Sequence, residues 1–225
     1  MEIVQTAKNE GILVICGGTT NGYLAEEFLG ETIDKRAFRY GITLPSNPEK
    51  GSGGAPSGRK DLIYRHGHID DTVDRIGIVP DMKRGDVFIK GANALDYKNK
   101  VAGILIANPT GGTVGGGWGR VFGSHIYLII PVGLEKLIYG DIWDLARKTM
   151  VPEYIGPSLY PVTGIIVTEI EALEMLSGVH AELLAAGGVA GAEGSVRLYL
   201  EGDENTMAKA KAVLDGVRGE PRFLM

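Results

Sequence analysis

Gly11-Ile12-Leu13-Val14-Ile15-Cys16-Gly17-Gly18-Thr19-Thr20-Asn21 is the stretch on which the fold turns. Its first half is a short, continuous apolar run, rich in β-branched residues and bounded by glycine, the signature of a strand buried on both faces. Its second half offers three competent helix N-caps, and Tyr23, Leu24, Phe28 and Leu29 then recur at helical spacing until Gly30 stops them. A buried strand running through a glycine loop into a helix is the opening unit of a parallel α/β sheet. The nine residues before it predict a helix packed beside this unit.

The same rhythm continues along the chain. Asp86–Lys90, Val101–Ala107 and His125–Val132 read as further strands, and the glycine-dense stretch up to Gly119 and the residues around Ile142-Trp143-Leu145-Ala146 as helices. This alternation predicts an α/β fold with a mainly parallel, Rossmann-like sheet covered by helices over residues 1–152. Asp70–Ile76 predicts one or two helical turns, and the turn formers between Leu44 and Lys60 predict a surface loop. Prolines interrupt the rhythm between Pro152 and Pro161. Beyond them, strand 164–168, helix 169–177, strands 180–186 and 195–201 and helix 204–217 predict a small ferredoxin-like α+β domain over 162–225, to which Phe223-Leu224-Met225 can add a strand. Thr168 is expected to cap its helix with Glu171 as capping-box partner.

Composition narrows the function. A net charge of -5 and a pI near 5.4 argue against a nucleic-acid partner. No apolar run approaches the roughly 20 residues that cross a bilayer, so no membrane partner is expected. One cysteine, Cys16, permits no internal disulfide, and no charged-then-apolar leader opens the chain, which together imply a cytoplasmic protein. Glycine stands out at 34 residues, about twice the usual share of about 7%. The apolar mix of the small domain suits a homo-oligomer contact.

In a parallel sheet, ligands sit beyond the carboxyl ends of the strands, where helix N-termini present unpaired N–H groups and partial positive charge. Three loops leave such ends: Gly17–Asn21, Lys90–Asp96 and Asn108–Gly119. Close backbone approach at glycine and added threonine hydroxyls suit a phosphate or carboxylate, so a small anionic metabolite is the expected partner. The candidate ligand-binding residues are Gly17, Gly18, Thr19, Thr20, Asn21, Lys90, Gly91, Asn93, Thr110, Gly111, Gly112, Thr113 and Lys136. Neither a dinucleotide fingerprint nor a phosphate-binding Gly-Lys-Ser/Thr loop is present, and no cofactor is expected. Asp96 is either a general base beside Lys90 or the cap of a turn. His66-Gly67-His68 with Asp70, Asp71 and Asp74 has metal-ligand types but reads as solvated turn residues, so no metal is expected. Cys16 reads as a small buried strand residue, and Trp118 as a partly buried anchor.

The motifs Ile15-Cys16-Gly17-Gly18-Thr19-Thr20, Asp86-Val87-Phe88-Ile89-Lys90-Gly91-Ala92-Asn93-Ala94-Leu95-Asp96 and Leu128-Ile129-Ile130-Pro131-Val132-Gly133-Leu134-Glu135-Lys136 resemble a known superfamily. It contains ribose-5-phosphate isomerase, glucosamine-phosphate deaminase, CoA transferases, DeoR-type effector domains and lactate-utilization proteins. The resemblance covers roughly residues 10 to 140. It implies that Gly18, Thr19 and Thr20 form a phosphate loop and that Lys90, Gly91, Asp96, Glu135 and Lys136 stand at polar site positions. On the expected reading Lys90 and Lys136 neutralise the anion, and Asp96 or Glu135 is the catalytic residue that handles protons if there is chemistry. Where the isomerase carries Asp-Gly-Ala-Asp-Glu, this chain reads Gly-Ala-Asn-Ala-Leu-Asp. The expected function is binding of a sugar phosphate or an acyl/CoA-type compound, with isomerase or transferase chemistry. The alternative is a non-catalytic metabolite sensor or an oligomeric assembly module.

Overall fold

The computed structural model describes residues 1–40 and 60–220. The loop expected at 44–60, apart from Lys60, and the strand expected at 223–225 lie outside the described residues. Helix α1 (Glu2–Glu10) leads into strand β1 (Ile12–Cys16), which passes through Gly17-Gly18 into helix α2 (Thr19–Leu29). Every residue of β1 is buried. Alternation along the strand explains this: Leu13 and Ile15 pack under α1, α2 and Phe38, while Ile12, Val14 and Cys16 face the opposite core.

A six-stranded sheet is built around β1. Strands β4 (Val87–Ile89), β7 (Tyr127–Pro131) and β9 (Ile165–Val167) extend it on one side, each parallel to its neighbour. On the other side β2 (Asp61–Arg65) pairs antiparallel with β1, and β3 (His68–Ile69) pairs antiparallel with β2. The order is β3-β2-β1-β4-β7-β9. The expected mixed α/β architecture with a mostly parallel sheet is present.

The expectation that Val101–Ala107 joins this sheet is not met. Strand β6 (Val101–Ile106) lies at the centre of a separate antiparallel sheet between β5 (Ala94–Asp96) and β8 (Ser158–Val162). Chain length dictates this. Four residues separate β4 from β5 and four separate β5 from β6, whereas a parallel crossover needs a dozen or more. Helix α4 (Ile142–Thr149), capped by Asp141, buries Ile142 against this small sheet.

Helix α3 (Gly112–Gly123) lies between β6 and β7 in the chain and covers the second face of the main sheet. Its Trp118 is 4% exposed and meets the Phe88 ring edge-on at 5.8 Å. Six of its twelve residues are glycine, at a cost of about 1 kcal/mol each relative to alanine. Packing explains one of them directly: a Cβ on Gly115 would meet the Thr110 carbonyl oxygen at 1.9 Å. The helix can approach the Asn108–Gly111 turn this closely only with glycine there.

The C-terminal region differs from the expected ferredoxin-like unit. Its first strand, β9, is committed to the main sheet beside β7. After β9 come α5 (Glu169–Ser177), a two-stranded hairpin of β10 (His180–Ala186) and β11 (Val196–Glu201), and α6 (Glu204–Val217). No four-stranded sheet forms here among the described residues, because two apolar β-branched runs, Tyr127–Pro131 and Ile165–Val167, pair with each other instead. Leu173, Val179, Leu198, Leu200, Ala210 and Val213 make the small core between α5, the hairpin and α6. The capping box at Thr168 is present, with its N–H donating to Glu171 Oε2 at 2.9 Å. The glycine cluster 187–194 is the hairpin loop, closed by Gly187 N–H donating to Ser195 O at 2.7 Å.

The segment 70–78 forms turns, not the expected helix. Asp70 Oδ1 accepts from the Thr72 N–H, and Asp74 Oδ1 accepts from the N–H groups of Ile76 and Gly77 at 3.0 and 2.7 Å. Aspartate side chains here take the backbone donors that a helix would use. No helix among the described residues is long and apolar enough to cross a membrane.

Candidate functional site

A cavity of about 460 Å³ opens beyond the carboxyl end of β4, where the main sheet meets the small antiparallel sheet. Lys90 and Asn93 line it from the link after β4, Ile104–Asn108 from the end of β6, and Gly111–Val114 from the start of α3. Tyr40, Arg75 and Pro157 complete the wall.

The start of α3 is uncapped. Its N-cap, Gly111, has a φ of 81° and no side chain to offer, and Thr110 and Asn108 satisfy each other. The N–H groups of Gly112, Thr113 and Val114 have no partner among the described residues. They line the cavity together with two cations. A twelve-residue helix ending there contributes a partial positive charge of about half a unit.

Arg75 is held rigidly. Its Nη1 donates to Asp61 Oδ2 at 3.1 Å, its Nε donates to Thr113 Oγ1 at 2.7 Å, and its guanidinium stacks 3.7 Å from the Tyr40 ring centre. Asp61 is 5% exposed in its side chain and also accepts the Gly17 N–H at 2.9 Å and the Tyr40 hydroxyl at 3.3 Å. One carboxylate thus ties together the end of β1, the start of β2, the 70–78 turns and the Tyr40 segment. Burial and the neighbouring Asp61 push the Tyr40 hydroxyl up to about 12, so it stays protonated.

Lys90 has no such partner. Its Nζ donates only to the carbonyl of the next residue, Gly91, at 3.1 Å, and no carboxylate pairs with it among the described residues. Desolvation lowers its pKa from the usual lysine range; Cys16 is the next largest influence and opposes this, Arg75 and Lys136 lower it further, and Asp61 opposes least. Cys16 itself is fully buried, and burial pushes its thiol up, so it is an uncharged core residue.

The thirteen ligand candidates from the sequence therefore separate into groups. Lys90, Asn93, Gly111, Gly112 and Thr113 come together around the cavity, and Gly91 and Thr110 border it as the acceptor for Lys90 and the turn before α3. Gly17, Gly18, Thr19, Thr20 and Asn21 are not in its wall. The Gly17 N–H is taken by Asp61 and that of Gly18 by Phe38 O at 3.0 Å. A Cβ on Gly17 would strike Lys60 O at 2.2 Å and the Tyr40 ring at 2.9 Å, which places this loop against Tyr40 and away from open space. Asn21 is buried and donates to Cys16 O at 2.7 Å and Ile89 O at 3.4 Å, clamping the ends of β1 and β4. Thr19 and Thr20 keep N–H groups at the start of α2 that have no partner among the described residues.

Asp96 closes a turn. Its two oxygens accept from Asn99 N–H and Asn99 Nδ2 at 3.1 and 2.8 Å, and it does not line the cavity. Glu135 folds back over Gly133, where an added Cβ would lie 1.8 Å from its Oε2, and it stands 3.9 Å from Lys136 Nζ. Lys136 contributes to the field at Lys90 without lining the cavity. The His66–Asp74 residues are occupied structurally: His66 Nδ1 contacts Glu10 O at 2.8 Å, and Asp70 pairs with Arg65 at 3.1 Å. Among the described residues no group of three or more His, Cys, Asp or Glu is placed to hold a metal ion.

Three residues of the cavity network, Tyr40, Asp61 and Arg75, carry no motif. Arg75 is one charged residue in an acidic turn segment, and only the folded chain brings it to Thr113, 38 positions away. Compared with protein-family models, with curated proteins and with solved structures, the chain gives no match.

Proposed function

We propose that this protein binds a small anionic metabolite, a sugar phosphate or an acyl or CoA-type compound, in the cavity at the start of α3. The observation that carries the reading is the convergence, on the wall of one 460 Å³ space, of the Arg75 guanidinium with three N–H groups that have no partner, and with Lys90, which has no carboxylate partner, among the described residues. Helix N-termini with added cations are ready-made sites for phosphate and carboxylate. Thr113 takes Arg75 Nε and Asp61 takes Nη1, and no hydrogen bond is made by Nη2 among the described residues. The resemblance to the sugar-phosphate isomerase and CoA transferase superfamily points to the same ligand class. An adjoining groove of about 540 Å³, bordered by Asn108, Gly111, Gly156 and Ser158, gives a longer ligand room to extend.

With neither Asp96 nor Glu135 in the cavity wall, proton transfer on the bound compound falls to Lys90. Binding without turnover, as in a metabolite sensor, uses the same cavity. Self-association is the further reading for the C-terminal unit, where Met175, Leu176 and Leu184 are each more than half exposed; light scattering reads it.

A thermal-shift screen of sugar phosphates, 2-oxo acids, CoA esters and inorganic phosphate tests the site. A ligand at about 100 times its Kd stabilises the fold by about 2.7 kcal/mol. That stabilisation is expected to vanish in Arg75→Met/Lys90→Met and to survive in Thr19→Ala. Loss in Thr19→Ala with retention in the double variant would move the site to α2 and overturn the reading.

A further inference from the structure

Lys90 differs from an ordinary phosphate-binding lysine. Such a lysine sits near carboxylates that hold its charge, whereas Lys90 faces the cavity with one backbone carbonyl as its only acceptor among the described residues. The titratable groups that act on it are Cys16 at the end of β1, Asp61 at the start of β2, Arg75 from the 70–78 turns and Lys136 from the turn after β7. Of these, Asp61 is committed to Arg75, Tyr40 and Gly17, and Cys16 is uncharged. None of these groups locks the amine in its cationic form. The anion-holding groups, Arg75 and the start of α3, form another part of the same wall, so a ligand anchored there presents the rest of its skeleton to Lys90.

We infer that Lys90 is a nucleophile that forms an imine with the aldehyde or ketone carbon of a small anion seated on Arg75 and the N–H groups of Gly112–Val114. The inference rests on the binding reading above and names its substrate class: a compound with one phosphate or carboxylate and one carbonyl carbon. In the step, the lone pair of the neutral Nζ attacks the carbonyl carbon and the carbonyl oxygen takes a proton, giving a carbinolamine. The C–O bond then breaks, C=N forms, and one water leaves carrying the two hydrogens of the amine. No oxidant or reductant is needed. A half-buried lysine whose desolvation and neighbouring cations lower its pKa is suited to this chemistry, because its free-base form is reached more easily than that of a surface lysine. Each unit by which the pKa falls multiplies the neutral fraction about tenfold.

The test is reductive trapping on the full-length chain. The protein is incubated at pH 7 with sodium cyanoborohydride and, separately, pyruvate, glyoxylate, glyceraldehyde 3-phosphate or ribose 5-phosphate, then digested and mapped by mass spectrometry. The reductant delivers hydride to the imine carbon and leaves a stable secondary amine. The expected result is one adduct per chain on the peptide containing Lys90, formed faster than on surface lysines. Inorganic phosphate is expected to compete it away. The oxo-acid and sugar-phosphate arms distinguish a carboxylate anchor from a phosphate anchor. Lys90→Arg is expected to lose the adduct, while Thr19→Ala, outside the cavity wall, is expected to keep both the adduct and the thermal stabilisation. Thermal stabilisation of the wild type without a Lys90 adduct, or adducts at equal rates on all lysines, overturns the imine while leaving the anion site standing. Absence of both stabilisation and adduct overturns the site reading and the imine with it.

Discussion

Removing the Asp61 carboxylate alone is expected to damage the protein more than removing it together with its partner. Asp61 and Arg75 are 5% and 12% exposed in their side chains, with Nη1 to Oδ2 at 3.1 Å. In Asp61→Ala the guanidinium stays buried with only Thr113 Oγ1 and the Tyr40 ring as company, and the Gly17 N–H loses its acceptor. Breaking a buried pair from one side costs about 3–5 kcal/mol, because a charge is left uncompensated. At about 2–4 °C per kcal/mol for a chain of this size, Tm should fall by about 6–20 °C. Asp61→Asn keeps an acceptor for Gly17 and should cost less, about 1–3 kcal/mol. In Asp61→Ala/Arg75→Met no charge is stranded, so the double variant should recover part of the loss, with a coupling of about 1–3 kcal/mol. Urea unfolding at 25 °C of the wild type, both single variants and the double variant, with unchanged m values, measures this. A loss below about 1 kcal/mol for Asp61→Ala, or single losses that simply add, would refute the pairing on which the cavity wall is built.

Other variants probe Lys90, helix α3 and the C-terminal unit. Because burial lowers the Lys90 pKa, the unfolded chain binds the extra proton more readily, and the penalty is fully present below the folded value and fades as pH rises toward the unfolded value of about 10.4. Lys90→Met should therefore raise Tm at pH 7, with the advantage shrinking as pH is raised; a constant or growing advantage contradicts the burial. Gly115→Ala and Gly119→Ala form a matched pair on α3, since the first Cβ would strike Thr110 O and the second meets nothing within 4 Å. Chemical denaturation should show the first destabilised by about 1–3 kcal/mol and the second stabilised by about 0.5–1 kcal/mol. Glu171 is part-buried, a cost that its hydrogen bonds to Thr168, Lys100 and Tyr97 outweigh, holding its carboxyl at about 2. Its contribution is present above the unfolded value of about 4.3 and lost as pH falls toward 2, so Glu171→Gln should cost about 1 kcal/mol at neutral pH, discounted for its part-exposure, and little in acid. A pH-independent loss would contradict this.

Much of the architecture is legible in the sequence because it arises from local periodicity. Helices α5 and α6 fall on the ranges their caps and apolar spacing predict, and β1 and α2 on those of the opening stretch. Pairing is less legible. An apolar run such as Val101–Ile106 looks alike in a parallel or an antiparallel sheet, and only the four-residue links around β5 exclude the parallel arrangement. Strand β2 escapes a reading by periodicity because its buried run, Leu62-Ile63-Tyr64, is three residues long. Within the site, Lys90 and the start of α3 can be read because a lysine at a strand end and glycines before a helix are local features. Asp61, Arg75 and Tyr40 cannot, since their roles depend on contacts 14, 21 and 38 positions apart. The loop at Gly17–Asn21 has the local form of an anion cradle, yet Asp61 and Phe38 already occupy its first two N–H groups, a fact visible only in the folded chain.

The most direct test of the anion site is a crystal structure of the protein with the compound that stabilises it most in the thermal screen. Its phosphate or carboxylate is predicted to lie within hydrogen-bond reach of the Gly112 and Thr113 N–H groups and of Arg75, with the rest of the molecule facing Lys90. An anion bound instead at the Thr19 and Thr20 N–H groups, or on the surface away from Lys90, would contradict the assignment.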